Sequence, residues 1–122
     1  MSKVYDILLD NIKIGTTVFE NADPTMGVVF GRINFLNIGY DFNFFRAYCL
    51  LNGVDFQKYI EDKLITTSTI PGLRVYNRSG DEVKGDACSI SGMDGDFFDV
   101  TISGIPYPFY EEEFPQHPKA KE

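Results

Sequence analysis

Three aspartates crowd into Asp94-Gly95-Asp96-Phe97-Phe98-Asp99, and closely spaced oxygen donors are the chemistry of a calcium site. A calcium loop of that kind needs donors at alternating positions, a glycine at the sixth and an acid at the twelfth. Here the fifth position is Phe98 and the sixth is Asp99, so the run reads as a hairpin tip, where Asp and Gly are the favoured residues. No metal is expected. His117 is the single histidine, and any imidazole-based acid–base pair or zinc site has to run through it. Its place in the C-terminal tail reads as that of a surface bystander. Ser89 and Ser91 flank Ile90 without the Gly-x-Ser-x-Gly turn that exposes a serine nucleophile. Gly27 and Gly31 enclose Val-Val-Phe, a strand interior and not a phosphate cradle. The residue types therefore point to no catalytic group and no cofactor.

Two arginines stand out because each lies alone among rings: Arg32 between Phe30 and Phe35, Arg46 beside Phe44, Phe45 and Tyr48. A guanidinium so placed pairs with an acid, stacks on a ring or reaches into solvent. An aromatic pocket combining arginine with a carboxylate is the enzyme or ligand-binding alternative. The sharper interaction signal is the strip Tyr107, Phe109, Tyr110, Glu111, Glu112, Glu113 and Phe114, which interleaves rings with acids. Aromatic side chains dominate binding hot spots, and a glutamate rim favours a basic partner. With Asp94 and Asp96 of the acidic turn, these are the candidate partner-binding residues. The competing expectation is that the strip folds back over the protein's own sheet.

The charge balance points the same way. The chain has 11 Lys+Arg and 18 Asp+Glu, a formal net charge of -7. Residues 1–60 hold five cations against six acids, and residues 61–122 hold six against twelve. Wrapping a phosphate backbone needs clustered cations, so nucleic acid is excluded as a partner, and an anionic membrane surface with it. A basic protein is the expected partner, an inhibitor or immunity-type role being one version, and a homodimer the third reading. Cys49 lies in an apolar run and Cys88 in a strand-like one, neither beside a basic cluster that would activate a thiol. The N-terminus lacks the apolar stretch of a signal peptide, so a cytoplasmic location with reduced thiols is expected.

These residues need a frame to hold them. The length of 122 residues suits one domain over 1–122, with 105–122 as a Pro, aromatic and acidic tail. Eleven Phe and seven Tyr favour sheet. Strands are expected at 4–9, 12–18, 27–35, 64–70, 73–76, 82–83, 87–91 and 97–103, with hairpin connections at 10–11, 77–81 and 92–96. Gly31 inside its strand marks a bulge or a close backbone approach. Asp41 is placed to cap a helix over 42–51 that Asn52-Gly53 ends, and Asp55 a second helical stretch over 56–63. Residues 109–114 have room for one helical turn. The expected class is α+β: a curved antiparallel sheet of about six or seven strands with one or two central helices on one face.

Overall fold

The computed structural model describes residues 3–115 and 117. Its first hairpin joins β1 (Tyr5–Leu9) to β2 (Ile12–Thr17). Asp10 and Asn11 connect them at φ 51 and φ 68, the doubly left-handed turn whose twist matches a hairpin and which Asp and Asn tolerate. Next come β3 (Asn21–Asp23), β4 (Val28–Arg32), β5 (Asn34–Phe35) and the helix α1 (Phe42–Asn52). The second half contributes β6 (Phe56–Tyr59), β7 (Leu64–Thr67), β8 (Leu73–Tyr76), β9 (Ala87–Met93), β10 (Phe98–Ser103) and the short α2 (Phe109–Glu113).

The strands form two sheets, one of four in the order β5-β2-β1-β8 and one of six in the order β3-β4-β10-β9-β7-β6. The α+β class holds, while the single curved sheet of six or seven strands becomes two antiparallel sheets. The reason lies in the segment 27–35. It is one apolar run, yet Ile33 turns inward and donates its N–H to the Phe98 carbonyl at 2.8 Å. That switch leaves β4 in the larger sheet and hands β5 to the smaller one.

The expected helix over 56–63 is also corrected. Residues 56–59 pair with β7 as an edge strand, and Ile60–Asp62 form a 3-10 turn that closes the hairpin. Phe56, Tyr59, Ile60 and Lys63 have helical spacing, but the Thr-rich β7 offers a ladder that a short helix cannot match. Asp55 starts that ladder instead of capping a helix, its carbonyl accepting Ser68 N–H at 2.9 Å.

α1 behaves as its sequence dictates. Asp41 is extended and accepts the Phe44 N–H at 2.9 Å, and Gly53 at φ 67 ends the helix by donating to the Cys49 carbonyl. Phe42, Phe45 and Cys49 share its buried face. They join one apolar cluster with Tyr5, Ile7 and Val75 of the smaller sheet and Val29, Ile90, Val100 and Ile102 of the larger. The rings of Phe35, Phe45 and Phe98 meet at 5.4 to 6.1 Å and tie β5, α1 and β10 together.

Candidate interaction surface

The β9–β10 turn sets the site. Asp94 donates its N–H to the Lys63 carbonyl at 3.1 Å, so the turn lies against the 3-10 turn of the β6–β7 hairpin. Asp94 Oδ1 accepts the Phe42 N–H at 2.8 Å, which brings in the start of α1. Two carboxylates, Asp41 and Asp94, thus satisfy two of the orphan N–H groups of one helix end, those of Phe44 and Phe42. Asp41, Asp94 and Asp96 line one cleft at this end of the six-stranded sheet, and Glu61 and Asp62 lie in the 3-10 turn just before Lys63. Arg32 lines that cleft, and Lys63 gives its carbonyl to the turn.

Beside the turn lies a cleft of about 570 Å³ between β4–β5, the start of α1 and the β9–β10 turn. Arg32, Phe35, Tyr40, Asp94, Asp96 and Phe97 are among its lining residues. The Tyr40 ring is held in place, stacked on Phe35 at 5.3 Å and edge-on to Phe44 at 5.0 Å. Arg32 lies over the Phe97 ring at 4.0 Å, one of the three fates its sequence position allowed. On the strand register Arg32 faces Asp99. Burial, with the neighbouring Glu20 and Asp96 carboxylates, raises Asp99 above the ordinary aspartate value, and Arg32 opposes the rise.

Ion pairing is distributed unevenly. Among the described residues, four salt bridges form: Lys3–Glu113, Lys13–Asp6, Arg74–Glu82 and Arg78–Asp6. Their cations come from β2, β8, the following turn and the approach to β1, all on the four-stranded side. Lys13 and Arg78 converge on the same Asp6 oxygen at 3.0 and 3.4 Å. Asp41, Glu61, Asp62, Asp94, Asp96 and Asp99 enter none of these bridges. The bridges thus gather on the four-stranded side, although Asp10 and Asp81 there enter none of them, and on the larger sheet Asp99 faces Arg32 across the ladder.

The sequence candidates divide into two groups. Asp94 and Asp96 sit at the acidic end, half-buried and exposed respectively. The strip from Tyr107 to Phe114 lies past the other end of β10, a strand of six residues and about 20 Å at the usual rise. Within the strip, Tyr110, Phe114 and Glu113 turn inward and are buried, and Phe109 packs on the core. Phe114 stacks on Tyr5 at 5.6 Å and meets Phe19 edge-on at 5.8 Å. Glu113 accepts from Tyr5 Oη at 2.9 Å and from Asn77 Nδ2 at 2.8 Å, with Lys3 Nζ at 3.4 Å. Glu111 and Glu112 are exposed, and Tyr107, although 39% exposed, donates its hydroxyl to the Pro24 carbonyl at 2.8 Å.

His117 departs from a bystander's place, since its Nε2 lies 2.7 Å from the carbonyl of Phe19, a buried residue at φ 48. The thiols are free; burial pushes Cys88 up to about 12 with help from Glu82, and raises Cys49 as well. Among the described residues, no three metal-binding side chains converge, and no helix is long and apolar enough to cross a membrane. Sequence reasoning did not place Asp41 with the acids of the 94–99 turn, reading it as a helix cap and as an acid beside aromatic residues, and it read Glu61 and Asp62 into a helix. The Glu-Asp-Lys run before a Thr-rich strand was the available signal, because a charged turn commonly closes a hairpin. No family model, curated protein or solved structure matches the chain, so its residues alone carry the functional reading.

Proposed function

We propose that this chain is a non-catalytic interaction module that presents the acidic end of its six-stranded sheet to a basic protein partner. An inhibitor or immunity-type role, in which carboxylates cover a cationic surface, is the specific version. The supporting observation is the uneven ion pairing: among the described residues the four salt bridges gather on the four-stranded side, and Asp94, Asp96 and Asp99 enter none of them. Unmatched acids raise the encounter rate with a basic surface and discourage acidic competitors. Glu111 and Glu112 would extend the negative field from the opposite end of β10. The reading sets the interaction in the cytoplasm, supported by two free thiols. The test is retention from a lysate of the cells that make the protein, comparing the wild type with an Asp96→Asn/Asp99→Asn variant. A retained protein of basic pI that added salt releases and the variant loses supports the reading. A partner held equally by both proteins, or unaffected by salt, overturns it.

The cleft of about 570 Å³ favours a second reading, a small-ligand site that uses Arg32 with a carboxylate and an aromatic wall. A neutral or anionic small molecule that raises the melting temperature, and does so only with Arg32 present, would decide for it.

A further inference from the structure

We infer that the cleft beside the β9–β10 turn receives an arginine side chain of the basic partner, and that Arg32 competes with it from within the chain. The inference rests on the interaction reading above and adds the chemical group that is recognised. The cleft combines the two features a guanidinium uses. Its walls offer ring faces, Tyr40 held against Phe35 at 5.3 Å and Phe97 half-exposed at the turn. Its acidic side comes from Asp94 and Asp96, of which Asp94 gives one oxygen to the Phe42 N–H and Asp96 is exposed.

A guanidinium is planar and weakly hydrated, so it can stack on a ring and bridge carboxylate oxygens at once. An ammonium is a compact, strongly hydrated point charge and gains less from the rings. The chain displays the same preference in its own contacts. Arg32 sits 4.0 Å from the Phe97 centroid, whereas Lys58 stays 6.0 Å from that of Phe56. Arg32 already covers one face of the ring and places a like charge in the cleft. An incoming arginine must displace it or share the carboxylates with it.

The experiment is a titration of the ¹⁵N-labelled protein with acetyl-Gly-Arg-Gly-amide at low salt. The lysine peptide and the citrulline peptide, which keeps the shape and loses the charge, are run alongside. The arginine peptide should give saturable shifts at the amides of Arg32, Phe42 and residues 94–98, and the citrulline peptide none there. Lysine, and separately the Asp96→Asn variant, should bind about three-fold more weakly, the size of one exposed cation–aromatic or charge contact. Arg32→Gln should tighten binding. Equal shifts with citrulline, shifts centred outside the cleft, or loss of binding in Arg32→Gln would each overturn the inference; the last would make the occupant an anion. Should the cleft stay silent while retention of the partner still depends on Asp96 and Asp99, the inference fails and the interaction reading survives it.

Discussion

Asp94 and Phe42 are fifty-two positions apart, and a hydrogen bond of 2.8 Å from the Phe42 N–H to Asp94 Oδ1 fastens the β9–β10 turn to the first turn of α1. One carboxylate thereby serves the fold and the surface charge together. Replacing Asp94 by alanine should lower stability by about 1 kcal/mol, the usual cost of losing a helix-end acceptor. Asp96→Ala, two residues on and exposed, should stay within about 0.5 kcal/mol of the wild type. Urea midpoints of the two variants check both values, and equal losses would contradict the capping role.

Tyr5 and Tyr110 are both fully buried, yet their hydroxyls differ. Tyr5 Oη donates to the buried Glu113 carboxylate at 2.9 Å, while Tyr110 Oη has no hydrogen-bond partner among the described residues. Tyr5→Phe removes a donor from a buried charge and should cost about 1.5–3 kcal/mol. Tyr110→Phe removes a buried, unpaired polar atom and should be neutral or stabilising. Thermal unfolding of the pair decides, and a larger loss in Tyr110→Phe would contradict the assignment.

Burial holds both thiols protonated, Cys88 up to about 12. A disulfide reagent at pH 8 should therefore modify neither cysteine rapidly in the native protein and both in urea. One fast native equivalent would show a thiolate that this environment does not provide.

Asp99 titrates above the ordinary aspartate value because of burial and its neighbours Glu20 and Asp96. The folded state then holds that proton more tightly than the unfolded chain. Stability assigned to Asp99 is present at low pH and is lost as pH rises from about 3.9, the unfolded aspartate value, through the raised one. Asp99→Asn should raise the melting temperature at pH 7, and the gain should fade as pH drops below the carboxylate range. A pH-independent difference would contradict the electrostatic cause.

Local chemistry made much of this fold legible. Asp41 and Asn52-Gly53 bracket α1 because a cap and a left-handed stop act over a single turn. The turns Asp10-Asn11 and Asp94 to Phe97 follow from residues that accept hairpin geometry. Gly31 proved to be a close approach, since a Cβ there would strike the Glu20 carboxylate and the Thr17 hydroxyl. Long-range choices stayed hidden. Nothing local to Ile33 says that the chain changes sheets there, and nothing near Phe56 announces the ladder on β7. For the same reason the strip from Tyr107 to Phe114 looked uniform, whereas packing on Tyr5 and Phe19 turns half of it inward. Spacing marked Asp94 and Asp96 as surface acids, but only the β7–β9 register brings the 61–63 turn to them, and only the Asp94 side chain on Phe42 brings Asp41.

The most direct test of the charge segregation is paramagnetic relaxation of backbone amides by a cationic and an anionic nitroxide of the same size. The ratio of the two effects reports the local potential around each residue. The amides of residues 31–32, 41–42, 61–63 and 94–99 should relax far more with the cation than those of β1, β2 and β8. An even ratio across both sheets, or a maximum on the four-stranded one, would contradict an acidic docking end.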